Sequence, residues 1–101
     1  MPIRIDAKND KLSEATKAHV ERACAKFTQF CDRIVNTEVV IDTNEKHKNA
    51  DAVEIIVTVP NQVIVGQGET SDGNLFRAID EAAQRVEVQL KRYHDKLVDH
   101  R

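Results

Sequence analysis

The last quarter of the chain, Asn74 to His100, reads as one amphipathic helix, and that reading constrains the fold more than any other stretch. At about 100° per residue, Leu75, Ile79, Ala82, Val86, Leu90, Tyr93 and Leu97 fall in a single apolar stripe that must be buried against another layer. Arg85, Arg92 and Lys96 fall together on another flank, within roughly 40° of one another on the same wheel. That flank has nothing to bury. In a chain of formal net charge −2, co-facing cations are positive charge placed locally, and a polyanionic partner is the first function class to weigh.

Residues 43 to 81 carry three basic and seven acidic side chains, whereas residues 82 to 101 carry five basic and three acidic, so the C-terminal end is the positive pole. The 101 residues suit a single domain, 1–101, with a core of its own. Phe27, Phe30, Phe76 and Tyr93 are the only aromatic residues and Trp is absent, so the core is mostly aliphatic and stacking on nucleobases is not expected to dominate binding. No apolar run approaches the roughly 20 residues of a membrane span, and Met1 to Asp10 lacks the apolar core of a targeting signal. A cytoplasmic protein with no membrane partner is the expectation.

Ile3 to Asp6 alternates as a short strand, and Asn9-Asp10-Lys11 breaks it before a helix capped at or near Ser13 and running to about Cys31. Val20, Ala23, Cys24, Phe27, Phe30 and Cys31 form its apolar side, while His19, Arg22 and Lys26 share the opposite one. Ile34 to Asp42, Ala52 to Val59 and Gln62 to about Glu69 are rich in β-branched residues and read as strands. The polar run Thr43 to Asp51 and the tight turn Pro60-Asn61 connect them as an antiparallel meander. Gly66 and Gly68 would permit a bend or bulge, and Ser71 or Asp72 is the expected cap of the last helix. The order β-α-β-β-β-α makes an α+β fold, a four-stranded sheet with two helices packed side by side on one face. This packing would set the two basic flanks near each other.

Chemistry is sparse. His19, His47, His94 and His100 are scattered without partners at metal-binding spacing, so no metal and no cofactor are expected, and exposed imidazoles are the default. Gly66-Gln67-Gly68 is too short a pattern to make a phosphate cradle. Asp80, Glu81 and Glu87 read as a solvated helix side, with Glu81 and Arg85 spaced to pair at i,i+4. No nucleophile can be matched to a base, so an enzyme is not expected. Cys24 and Cys31, seven apart on one helix, are roughly 10 Å apart along its axis, too far for a disulfide there, and read as buried small hydrophobes.

The segment Asn74-Leu75-Phe76-Arg77-Ala78-Ile79-Asp80, with Arg85-Val86-Glu87-Val88-Gln89-Leu90-Lys91-Arg92 and Asp95-Lys96-Leu97, resembles the C-terminal helix of bacterial ribosome hibernation-promoting factors. There the pattern is close to Asp-Met-Tyr-Ala-Ala-Ile-Asp and then Lys-Leu-Glu-Arg-Gln-Leu. Lys26-Phe27-Thr28-Gln29-Phe30-Cys31-Asp32-Arg33-Ile34 is similar to the end of that family's first helix, Lys-Leu-Glu-Lys-Tyr-Phe-Asp-Arg-Ile. The resemblance, to the hibernation-promoting factor and ribosome-associated inhibitor family, spans essentially the whole chain and implies the same β-α-β-β-β-α fold.

It also implies a stationary-phase translation regulator. Such a protein occupies the messenger and transfer RNA channel of the small ribosomal subunit, holds idle ribosomes inactive and favours their pairing, with a second ribosome-modulating factor as a possible participant. Ending at Arg101, the chain resembles the short, pairing-promoting form. On the resemblance and the wheel together, the expected ribosomal RNA contacts are Arg22, Lys26, Arg33, Arg85, Arg92 and Lys96, with Arg77 and Lys91 as additional candidates. A ribosome-associated protein, monomeric when free, is expected. Val88 stands where the family has Arg, and Asn74 and Phe76 stand for Asp and Tyr.

Three alternatives stay open. A double-stranded RNA-binding domain would want lysines at the start of its last helix, where Asp72 opposes phosphate. A protein-interaction module modulating an alternative sigma factor would need a surplus apolar patch. A small α+β enzyme would need converging polar groups.

Overall fold

The β-branched segments pair into one sheet because alternate residues on each strand supply the same apolar face. In the computed structural model, which describes residues 3–8, 13–44, 50–70 and 74–99, the elements are β1 (Ile3–Ala7), α1 (Glu14–Ala25), α2 (Phe27–Phe30), β2 (Asn36–Asn44), β3 (Ala50–Val59), β4 (Gln62–Thr70) and α3 (Leu75–Asp99). The sheet order is β1-β2-β3-β4. The meander β2-β3-β4 is antiparallel as expected, and β1 lies at the far edge, parallel to β2. Rows of partnered residues cross the sheet on its helix side: Ile3, Thr37, Val57, Ile64; then Ile5, Val39, Ile55, Gly66; then Ala7, Ile41, Val53, Gly68.

Both helices cover that side. Val20, Cys24 and Phe27 from the first helical stretch and Ala78, Ile79, Ala82, Val86 and Leu90 from α3 are buried against Val39, Ile55, Val57 and Ile64. The apolar stripe read for the last helix is therefore the seam between layers. The two cysteines are free and buried, as expected, and burial pushes the Cys24 thiol up to about 12.

The glycines of β4 are not a bulge: the register runs through Gly66 and Gly68 without interruption. A Cβ on Gly66 would strike the carbonyl oxygen of Ala82 and lie 2.7 Å from Cγ2 of Val86. One on Gly68 would strike the carbonyl oxygen of Ala78 and lie 2.9 Å from the amide nitrogen of Ala82. Gly-x-Gly on an inward-facing pair of positions is thus a slot in which the α3 backbone sits directly on the strand.

Local capping differs from expectation in two places. The first helix is capped by Ser13, whose Oγ accepts from the Thr16 amide at 3.1 Å, but it breaks at Lys26 into α1 and the short α2. There the Thr28 hydroxyl donates to the Ala25 carbonyl at 3.0 Å, a side-chain bond that competes with helical pairing. At α3, Oδ1 of Asn74 accepts from the Arg77 amide at 3.4 Å, so Asn74 is the cap; Ser71 and Asp72, the positions expected to cap, lie outside the described residues. The turn Pro60-Asn61 is tight as expected, with Asn61 at φ 69°, a conformation Asn tolerates better than most residues.

Candidate nucleic-acid interface

Because α3 lies over β3 and β4 while α1 and α2 flank it on one side only, its two flanks face different surroundings. Toward α1, a groove of about 360 Å³ is lined by His19, Arg22 and Lys26 on one bank and by Asp80, Gln84 and Glu87 on the other. On the opposite flank, toward the free edge of β4, a more open cleft of about 700 Å³ is lined by Glu81, Gln84, Arg85, Val88 and Arg92 of α3 and by Val65 and Gln67 of β4. The two basic flanks are therefore not one patch. Arg22 and Lys26 look into the interhelical groove, Arg85 and Arg92 look away from it, and the two depressions meet at Gln84.

His19 is not a freely solvated imidazole. Its ring stacks on Phe76 with centroids 4.4 Å apart, and its Nε2 lies 2.7 Å from Oδ1 of Asp80. This clasp ties α1 to the first turns of α3. Phe76, which stands where the family has Tyr, thus serves as a packing surface, although it remains 38% exposed.

Arg85 is also partly committed. Its Nη1 donates to the Gln67 carbonyl at 2.7 Å, and its Nη2 lies 3.4 Å from Oε1 of Glu81, the i,i+4 pair anticipated from spacing. One turn on, Gln89 Nε2 donates to the Val65 carbonyl at 2.7 Å, and the Tyr93 hydroxyl donates to the Pro60 carbonyl at 3.0 Å. Arg85, Gln89 and Tyr93 thus stitch α3 to the outer strand and its turn. Gln89 and the Tyr93 hydroxyl carried no signal in the sequence, because their partners are main-chain atoms.

The other expected cations are placed differently. Arg22, Lys26, Arg33, Lys91, Arg92 and Lys96 are all exposed, and none has an ion-pair or side-chain hydrogen-bond partner among the described residues. Arg92 and Lys96 continue the Arg85 flank about two and three turns further on, Lys91 lies on the solvent side of α3, and Arg33 stands in the connection between α2 and β2. Arg77 is exposed in the first turn of α3 and has interactions of its own. Among the described residues no group of three His, Cys, Asp or Glu side chains could hold a metal ion, and no helix is long and apolar enough to cross a membrane.

The family described as sigma 54 modulation protein / S30EA ribosomal protein matches residues 3–98. A ribosome hibernation promotion factor of Bacillus subtilis is 28% identical over 97 residues, covering 96% of this chain and 50% of that protein. The ribosome hibernation promoting factor of Escherichia coli K12 is 29% identical over 100 residues, covering 99% of this chain and all of that protein. The chain therefore spans about half the length of the Bacillus relative and the whole of the Escherichia one. Among solved structures, the N-terminal domain of Thermus thermophilus Protein Y superimposes with a TM-score of 0.80 at 28% identity, over 92% of this chain and 99% of that one. A ribosomal subunit interface protein from Coxiella burnetii superimposes with a TM-score of 0.82 at 23% identity, over 95% of this chain and all of that one, a likeness of fold. A match over nearly its whole length, on the same β-α-β-β-β-α framework, makes this chain a member of the sigma 54 modulation protein / S30EA ribosomal protein family.

Proposed function

We propose that this protein is a cytoplasmic ribosome hibernation factor, a binding protein rather than an enzyme. Its helix layer lies against ribosomal RNA of the small subunit, in the messenger and transfer RNA channel, and favours inactive, paired ribosomes. The observation that carries the reading is the set of exposed cations with no ion-pair or side-chain hydrogen-bond partner among the described residues, Arg22, Lys26, Lys91, Arg92 and Lys96 on the helices and Arg33 in the connection between α2 and β2, in a chain that matches the Escherichia hibernation factor from end to end.

Charge distribution supports the orientation. The open face of the sheet carries Glu38, Asp42, Glu54 and Glu69 at positions alternating with the buried ones, so phosphate is repelled from that side and drawn to the helices. Arg and Lys contacts to phosphate confer affinity without reading base sequence, so shape and location on the subunit select the site. Occupancy of the channel is itself the inhibitory act, and no chemical step is required. Val65 and Gln67 carbonyls at the β4 edge are already bonded to α3 side chains, which favours a monomer in the free state.

Sucrose-gradient sedimentation with ribosomes at low and moderate salt tests the reading. Wild type should travel with the small subunit and with whole or paired ribosomes, and an Arg92→Glu, Lys96→Glu variant of native circular dichroism should stay near the top. Wild type remaining in the top fractions at both salts overturns the proposal.

A further inference from the structure

The cleft on the β4 flank of α3 combines three features that a purely phosphate-binding surface does not need. Val88 (47% exposed) is the exposed apolar side chain of α3 in it, and the Val65 and Gln67 carbonyls border it from the edge of β4. Val88 lies between Arg85 and Arg92 on one stripe of the helix, roughly 4.5 Å above the first and 6 Å below the second along the axis. The two arginines are held differently: the Arg85 guanidinium is fixed at Nη1 by the Gln67 carbonyl and at Nη2 by Glu81, whereas Arg92 has no partner among the described residues. A guanidinium clamped at two nitrogens offers its flat face, while a free one offers its N–H fork.

We propose that this cleft takes an unpaired nucleotide of RNA. The base rests on Val88 and against the plane of Arg85, with the Gln84 amide at its polar edge, and the phosphate is held by Arg92. The Glu81 carboxylate closes the other end, since it repels phosphate and so places the backbone on the Arg92 side. Unstacked bases splayed from single-stranded segments pack on Arg planes and apolar side chains in this manner. The cleft, at about 700 Å³, is within the range of small-ligand sites. The inference rests on the RNA-binding reading above and refines it: part of the contact is with a base, where the helix layer otherwise meets only the backbone.

The test is fluorescence anisotropy with a short single-stranded RNA and with an abasic strand of the same length and charge. Wild type is expected to bind the base-bearing strand tighter, on the order of fivefold or more. Val88→Ser, an exposed substitution, and Arg85→Lys, which keeps the charge and loses the plane, should each erase that difference. Arg92→Gln should weaken both strands alike. Equal affinity of wild type for the two strands, a preference that survives Val88→Ser, or no binding of either strand overturns the proposal. Sedimentation of wild type with whole ribosomes reports separately on the wider reading.

Discussion

His19 and Phe76 lie face to face, their ring planes 4° from parallel, although 57 positions of sequence separate them. With Asp80 2.7 Å from the imidazole Nε2, the pair is the principal polar and aromatic link between α1 and α3. Removing either ring should loosen the helix layer while leaving the sheet intact. His19→Ala and Phe76→Ala are each expected to destabilise by about 1 kcal/mol, with a coupling in the double-mutant cycle of about 0.5–1.5 kcal/mol. Urea unfolding of the four proteins measures this, and additive losses would show that the stack contributes nothing of its own.

Gly66→Ala and Gly68→Ala should be the most damaging single-methyl additions to the sheet. Each new Cβ meets α3 backbone, which cannot rotate away. A loss of about 2–4 kcal/mol is expected for either. Gly68→Ala should be at least as severe, because its nearest neighbours are all main-chain atoms, whereas Gly66 also faces the movable Val86 side chain. Thermal unfolding decides it, and a variant within about 0.5 kcal/mol of wild type would mean that α3 lies further from β4 than described.

Cys24 gives a pH dependence of known sign. Its thiol is raised by burial from an ordinary 9.0 to about 12, so the folded state holds the proton more tightly than the unfolded chain. Its contribution is fully present below about pH 9 and is lost as pH rises from there toward 12, at up to about 1.4 kcal/mol per unit. Native protein should also leave this thiol unreactive toward a disulfide reagent at pH 8, with reaction on unfolding. A Cys24→Ala variant should lack the corresponding part of the alkaline slope; an identical slope in both proteins would refute the assignment.

Arginines on one flank should separate by role. Arg92→Gln, which removes no ion pair or side-chain hydrogen bond among the described residues, is expected to leave stability within about 0.5 kcal/mol and to lower the slope of log affinity for ribosomes against log salt by about 1. Arg85→Ala strips the Gln67 carbonyl of its donor and is expected to cost about 1 kcal/mol of folding stability as well as binding. Parallel unfolding and salt-titrated binding of the two variants check the distinction. Equal effects on stability would remove it.

What was legible in the chain was whatever repeats with a period. The α3 stripe from Leu75 to Tyr93, the meander strands and the buried cysteines follow from spacings of 3.6 and 2, and the structure places each as expected. The parallel pairing of β1 with β2 was not legible, because it depends on where α1 returns the chain and not on any residue of β1. Lys26 carries a helical φ and ψ, so the break there reflects the Thr28 side-chain bond and not a breaker residue. The division of the basic positions was hidden for a related reason. A helical wheel orders Arg85 relative to Val86, but it does not say which neighbour lies beyond each flank, and α1 covers only one of them. His19 was misjudged because Phe76, distant in sequence, supplies its lid.

The stitching of α3 to β4 reaches beyond recognition. β4 is a nine-residue outer strand bearing exposed Val63 and Val65, the combination that templates intermolecular strand addition when its carbonyls are open. Arg85 and Gln89 fill two of those carbonyls from the same molecule. The surface that is proposed to hold RNA therefore also closes part of the β4 edge to strand addition, and substitutions that weaken it should shorten the shelf life of concentrated protein by more than their loss of melting temperature accounts for.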